Sequence, residues 1–279
     1  VVALDRAPAH PEILPATGEG EVCYRLDIRS TDSLERILRR ERPTHCIQLA
    51  TPSSVPQSFR NPVEDLEGHL LPTFSLFDAI RRSGLDVAVL LVSSAAVYGS
   101  PHRLPIREDH PLAPVSPYGH HTRMQEMVGL EHHELFGTRV CIARIFSTYG
   151  PGLRRLAVWE IARRAMGGDR TVLGTGRESR DYLHACDVAA ALAKICDGAR
   201  FAGEIVNVGS GEETPIRNLA REIYDVLSIT EPFRFEGRPE PGKPGRWLAD
   251  IGQLRRLGFS ARIPLALGVR ETVRWVARQ

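Results

Sequence analysis

Four short, nearly continuous apolar runs mark the first half of the chain: VVALD (1–5), HCIQLA (45–50), VAVLLVSS (87–94) and RVCIARI (139–145). Strands covered by helices on both faces read this way, whereas a strand with one wet face alternates. Between the runs lie segments of helical periodicity. TDSLERILRRE (31–41) follows a serine cap, DLEGHLLPTFSLFDAIRRSG (65–84) ends on Gly84, and SPYGHHTRMQEMVGLEHHELFG (116–137) ends on Gly137. Glycine is the residue that helix C-termini favour. Pro72 predicts a kink in the second helix or a late start. Strand–helix alternation of this kind predicts an α/β fold, a doubly wound parallel sheet with right-handed crossovers.

The second half changes character. LAVWEIARRAMGG (156–168), ETPIRNLAREIYDVL (213–227) and LALGVRETVRWVARQ (265–279) read as helices, and RFEGRPEPGKPGRW (234–247) reads as a Pro/Gly-rich loop. The pattern predicts a small C-terminal lobe, interleaved with the last strands, that closes over the edge of the sheet.

Composition narrows the function classes. The 279 residues are 42% hydrophobic and 25% charged, ordinary for a domain with a sizeable core. A net charge of +2 and the absence of a Lys/Arg block argue against nucleic acid. Of the 36 basic residues only Lys194 and Lys243 are lysines. The five cysteines are scattered without metal-ligand spacing, which predicts buried free thiols in a reducing compartment and no metal. No apolar run approaches the length of a membrane span, and the first residues lack a secretory signal pattern. A soluble, cytoplasmic protein is expected.

Chemistry gathers in nine segments: VVALDR, RLDIRS, IQLATPSSVPQSFRNP, VSSAAVYG, SPYGHHT, RIFSTYGPG, GTGRESRDYLHACDVAAAL, NVGSGEETPI and LGF…LGVRETVRW. In this order they resemble the extended short-chain dehydrogenase/reductases, specifically the NAD-dependent nucleotide-sugar epimerase/dehydratase branch (UDP-glucose 4-epimerase-like). The resemblance implies a Rossmann-type sheet with residues 1–150 binding NAD and 151–279 mainly binding a nucleotide sugar. Asp5 would accept both adenosine ribose hydroxyls, favouring NAD over NADP, with Arg6 beside it. Asp27 and Ile28 would flank the adenine. Leu49, Ala50 and Thr51 would pass beneath the phosphates and ribose, His69 stands where asparagine is usual, and Phe146 would pack on the nicotinamide. Tyr118 would be the acid–base group, with Ser94 steering the sugar oxygen. Ser147, Arg180 and Arg246 would hold the nucleotide sugar, Arg180 as a planar donor to its diphosphate; a structural ion pair of Arg180 with Asp181 or Asp187 is the alternative.

Ala95 and Ala96 follow Ser94, where family members that eliminate water or carboxylate carry an acid. Two methyl groups move no proton, so the resemblance implies reversible oxidation at one carbon: epimerisation at C4 through a 4-keto sugar, or 4-keto reduction. The helices over 65–84 and 116–137 resemble the pair that makes the family's four-helix dimer interface, which implies a homodimer.

Two departures stand out. The family's first strand and glycine-rich turn are absent from this sequence; TGEGEV (17–22) lacks the third glycine and a following amphipathic helix. A central strand left out would leave buried N–H and C=O groups unpaired, each costing about 1–3 kcal/mol. The expectation is a native polypeptide with a further N-terminal segment. The second departure is Thr122, in the position of the family's lysine, four residues after Tyr118. That lysine binds ribose and lowers the phenol pKa as a nearby cation. Arg123, His120 and His121 face elsewhere around a helix. Three readings stay open: a substituted but otherwise normal enzyme, a slow natural variant, or a catalytically silent NAD- or nucleotide-sugar-binding protein.

Overall fold

The computed structural model describes residues 1–5 and 22–279, so Arg6 and most of the TGEGEV segment lie outside the described residues. In chain order the elements are β1 (Val2–Asp5), β2 (Val22–Arg25), α1 (Thr31–Glu41), β3 (His45–Gln48), α2 (Val55–Arg60), α3 (Pro62–Ser83), β4 (Ala88–Ser94), a 3₁₀ turn (Ala95–Tyr98), α4 (Pro117–Phe136), β5 (Val140–Ile145) and β6 (Ser147–Tyr149). Then come α5 (Leu156–Met166), β7 (Thr171–Val172), β8 (Ser179–His184), α6 (Ala185–Gly198), β9 (Ala202–Val208), β10 (Glu213–Pro215), α7 (Ile216–Val226), β11 (Arg234–Phe235), α8 (Gly252–Arg256) and α9 (Leu265–Val276).

The main sheet runs β3-β4-β5-β9, all parallel. Its central strands show why the apolar runs are continuous. Val89 and Leu91 of β4 pack with Leu34 and Leu38 of α1, Phe77 and Ile80 of α3 and Val128 of α4. Ala88 and Leu90 point the other way, onto Leu192 and Ile195 of α6 and Leu254 of α8. Alternate residues of one strand therefore feed two separate cores, as a doubly wound sheet requires. β1 and β2 form a parallel pair, Val2 opposite Val22 through Asp5 opposite Arg25. Among the described residues the pair shares no strand hydrogen bonds with the main sheet and meets it through the core in which Leu4, Leu26, Ile28 and Cys46 pack.

A third core belongs to the C-terminal part, where Ile161 of α5, Ile223 of α7 and Val273 of α9 meet. Around it lie the three-stranded sheet β10-β8-β6 and the two-stranded β11-β7. Because β9 returns to the main sheet, the two halves interleave along the chain.

Four local expectations need correction. α3 begins at Pro62, not 65, and continues through Pro72. The missing donor removes one helical hydrogen bond, and burial of Leu76, Phe77 and Ile80 offsets it. The short helix α2 was not foreseen. The stretch 213–227 opens as strand β10 before turning into α7. β3 ends at Gln48, leaving Leu49 and Ala50 in the following loop. All five cysteines are free thiols, but only Cys141 is buried as expected; Cys46 and Cys196 are partly buried, and Cys23 and Cys186 are exposed. Among the described residues no helix is long and apolar enough to cross a membrane.

Candidate active site

A cavity of about 520 Å³ opens between the carboxyl ends of the main strands and the C-terminal lobe. Open α/β sheets bind ligands at this edge. Leu49, Thr51, Ser94, Ala96, Tyr118, Thr122, Phe146, Ser147 and Arg180 all line it. Eight of these, all but Ala96, were named from sequence as site residues, Thr122 among them as the residue in the lysine position.

Local rules deliver the central pair. Ser94 ends β4 and caps the 3₁₀ turn, its hydroxyl accepting from the Ala96 N–H at 3.2 Å. α4 starts with Ser116 as N-cap, accepting from Gly119 N–H at 3.1 Å, and Pro117 in the first turn. Tyr118 follows, its backbone N–H donating to Ser58 Oγ of α2 at 3.0 Å. A β-carbon on Gly119 would lie 2.7 Å from the Ala96 carbonyl oxygen. Glycine there lets the first turn of α4 close onto the 3₁₀ turn, and so brings Tyr118 against Ser94. Burial pushes the Tyr118 phenol above its ordinary pKa; hydrogen bonds with the Ser94 and Thr122 side chains and the charge of Arg155 pull it down, and Asp65 pushes it up.

α4 is also pinned from behind. Glu126, two turns past Tyr118, accepts from Arg144 Nε and Nη2 at 2.8 and 2.7 Å and from the Ser93 hydroxyl. Arg144 Nη1 donates to Tyr98 Oη and the Glu108 carbonyl, both at 3.1 Å. The ion pair is 2% and 3% exposed, so β4, β5 and α4 share one dry charge network.

The position of the expected lysine holds a different device. Thr122 Oγ bonds back to the Tyr118 carbonyl at 2.8 Å and lies 3.3 Å from His69 Nε2. His69 is buried, with its ring edge-on to Tyr118 at 5.5 Å between centroids. It sits behind the phenol rather than on the cavity wall. Its Nδ1 is 2.7 Å from the Asp65 carbonyl oxygen and 3.5 Å from Asp65 Oδ2. His121 Nδ1 meets the same carboxylate at 2.6 Å. The Asp65, His69 and His121 donor atoms lie within 4.8 Å of one another, a grouping that the spacing of the cysteines gave no hint of. A carbonyl only accepts, so His69 Nδ1 carries a proton and has no lone pair for a metal.

The remaining expected residues divide. Asp5 ends β1, Asp27 pairs with Arg29 at 2.5 Å, and Ile28 packs in the core beside α1. These three and Ala50 are not on the cavity wall. Leu49 is 60% exposed, and the buried Gln48 Nε2 beside it has no hydrogen-bond partner among the described residues. An exposed apolar side chain, an orphaned amide and the small Ala50 and Thr51 at one strand end fit a dinucleotide crossing β3 toward Phe146. Arg180 makes no ion pair with Asp181 or Asp187. Asp181 instead accepts from the N–H groups of Ser210, Gly211 and Ala249, and Asp187 from those of Arg262 and Ile263. The Arg180 guanidinium donates to the Ser179 and Gly245 carbonyls and stacks 5.2 Å over Trp247. Arg246 does not reach the cavity, because it is held at two points by Glu213, both at 2.7 Å. Lys243 and Trp247 of the same loop line the wall in its stead, as do Arg155 and Arg164 of α5 and its cap, which sequence reading missed. No periodicity marks residues whose role comes from a loop fold.

The model of the NAD dependent epimerase/dehydratase family matches residues 1–209. Over 271 residues the chain is 30% identical to UDP-glucose 4-epimerase of Azospirillum brasilense, covering 89% of this chain and 77% of that protein. It is 34% identical over 217 residues to GDP-6-deoxy-D-mannose reductase of Pseudomonas aeruginosa, covering 75% and 71%. Among solved structures, dTDP-glucose 4,6-dehydratase from Streptomyces venezuelae with NAD bound superposes at a TM-score of 0.91 and 26% identity, covering 100% of this chain and 87% of that one. With the doubly wound sheet and the Ser94–Tyr118 pair at its carboxyl edge, these matches establish that the chain belongs to the NAD-dependent epimerase/dehydratase family.

Proposed function

We propose that this protein epimerises a nucleoside-diphosphate sugar at C4 through a 4-keto intermediate, with NAD as resident cofactor. The observation that carries the reading is the meeting of Ser94 and Tyr118 on one cavity wall where the neighbouring side chain is the methyl of Ala96. The pair can take a proton from a sugar hydroxyl and return it. No carboxylate at 95 or 96 stands ready to take a second proton from an adjacent carbon, as elimination of water needs.

Bound NAD⁺ supplies the hydride acceptor and donor, held by Asp5, Asp27, Ile28, Leu49, Ala50, Thr51 and Phe146. Tyr118 removes the C4 hydroxyl proton, and Ser94 donates a hydrogen bond to the oxygen as it becomes a carbonyl. Ser147 contacts the sugar nucleotide. Arg180, free of a carboxylate partner among the described residues, binds the diphosphate. Lys243, though paired with Glu240 at 2.6 Å, adds positive charge to the same wall. Residues 1–150 form the cofactor half, and 151–279 mainly the sugar-nucleotide half. Exposed Val63, Leu71 and Phe74 of α3 and Met124 and Met127 of α4 support a homodimer through these helices.

The test is a screen of nucleotide hexoses with NAD⁺, following product configuration by NMR. The expected result is the C4 epimer with no net change in NADH. Net consumption of NADH with a 4-keto sugar would instead make the protein a 4-ketoreductase; its Pseudomonas aeruginosa relative is a GDP-6-deoxy-D-mannose reductase. Ligand binding with no turnover of any kind would make it a silent binding protein.

A further inference from the structure

We infer that Ser58, on the short helix α2, is a positioning residue for Tyr118: its hydroxyl holds the first turn of α4 where the phenol can reach a sugar oxygen beside Ser94. The inference rests on the reading of Tyr118 as the acid–base group.

A helix begins with N–H groups that have no partner within it. α4 satisfies one of them locally, where the cap Ser116 accepts from Gly119 N–H at 3.1 Å. The Tyr118 N–H is satisfied from another element. It donates to Ser58 Oγ at 3.0 Å, across 60 residues of sequence. Ser58 is 0% exposed, so water does not compete for its oxygen. Its own proton goes to the Val55 carbonyl at 2.8 Å, which leaves a lone pair for Tyr118. Both roles of the hydroxyl are thus fixed, and it has one orientation.

The other side of the same peptide is held as well. Thr122 Oγ donates to the Tyr118 carbonyl at 2.8 Å. Two side-chain hydroxyls therefore grip the tyrosine backbone, one at its N–H and one at its C=O. Thr122 belongs to α4 and moves with it. Ser58 belongs to α2, so it is the grip that places α4 against the rest of the site.

α2 can serve as a fixed post because its neighbours leave it one seat. Its cap Ser54 accepts from Gln57 N–H at 3.3 Å. Val55 and Phe59 close on Gly242 of the 234–247 loop, where a β-carbon would lie 2.6 Å from the Phe59 ring and 3.0 Å from both Val55 and the Ser116 side chain. Ahead of the helix, Arg155 donates to the Ser53 carbonyl at 3.3 Å and to the Ser53 hydroxyl. Ser53, Val55, Arg155 and Gly242 all line the cavity. The post for Tyr118 is therefore built into the wall of the cavity that the phenol serves. A misplacement of about an ångström costs about 100-fold in rate, so the loss of one such grip is expected to reach catalysis.

The test compares wild type with Ser58→Ala, Ser58→Thr and Ser58→Val, each as full chain with NAD. Threonine can repeat the bond to the carbonyl three residues back. Valine has the same shape without the hydroxyl, so any crowding by the added methyl is common to both. Labelling with [15N]tyrosine marks six amides, and hydrogen exchange at Tyr118 is then read by NMR without any sugar. It is expected to be about tenfold or more faster in the alanine and valine variants, and near wild type with threonine. With the nucleotide hexose that turns over, alanine and valine should lower kcat about tenfold or more at a KM within about twofold, and threonine should restore most of it. A purely structural role would instead lower Tm in the threonine and valine variants alike and leave the kcat of folded enzyme unchanged. Wild-type exchange at Tyr118 in Ser58→Ala, or equal kcat in the threonine and valine variants, would overturn the inference. If no nucleotide sugar turns over, the epimerase reading fails, while exchange at Tyr118 still decides whether Ser58 holds it.

Discussion

Removing Glu126 tests how the active-site helix is held. The carboxylate is 3% exposed and accepts two hydrogen bonds from Arg144 and one from Ser93. Glu126→Ala leaves the Arg144 guanidinium, 2% exposed, facing Ser93, Tyr98 and a backbone carbonyl with no anion. Breaking one partner of a buried pair costs about 3–5 kcal/mol, a large share of a typical net stability of about 5–15 kcal/mol. At roughly 2–3 °C per kcal/mol for a chain of this size, Tm should fall by roughly 6–15 °C. Replacing both partners, as Glu126→Leu with Arg144→Met, removes the unpaired charge and should recover most of the loss. Urea titrations of the two singles and the double give the coupling energy directly. A single-variant loss below about 1 kcal/mol, the value of a surface pair, would refute the claim that this network anchors α4.

Three further outcomes follow from the site. Gly119→Ala puts a β-carbon 2.7 Å from the Ala96 carbonyl oxygen; steady-state kinetics should show kcat lowered about 100-fold, the scale of an ångström misplacement, and wild-type kcat would deny that this contact sets the pair. Arg180→Gln should weaken nucleoside-diphosphate binding by calorimetry about 10- to 100-fold, the value of a hydrogen bond to a charged group, while leaving NAD binding unchanged. Burial lowers the pKa of both His69 and His132. The unfolded chain therefore binds more protons below the ordinary histidine value near 6.5, and stability should fall as pH drops through that value toward the depressed folded ones. A urea midpoint that is flat from pH 7 to about pH 5.5 would contradict this.

The central strands could be read from the chain because a parallel strand buried on both faces has no polar alternation to hide it; β4 feeds Leu90 to one core and Leu91 to the other. α1 was legible to its ends for a similar reason, with Leu34 and Leu38 one turn apart on its buried face. α2 was not, since the six residues VPQSFR are too short to show a period. Within the site, Ser94 and Tyr118 could be found because a strand end and a capped first turn are local features. The pair Glu126–Arg144 could not, since a glutamate on a helix and an arginine within a strand give no sign of each other until the fold buries both. Asp65 and His69 are one helical turn apart and could have suggested a pair. Their link to Thr122 crosses 53 residues of sequence and exists only because α3 and α4 pack side by side. Arg246 went astray because a Pro/Gly loop has no register to count along, and Glu213 captures it.

A sugar nucleotide carrying deuterium at C4 puts the whole account to one measurement. If Tyr118 handles the hydroxyl proton while hydride leaves and returns in a closed cavity, NMR will show product of inverted configuration with the deuterium still on C4, and none with Tyr118→Phe. Label lost from C4 to water, or inversion that survives Tyr118→Phe, would contradict it.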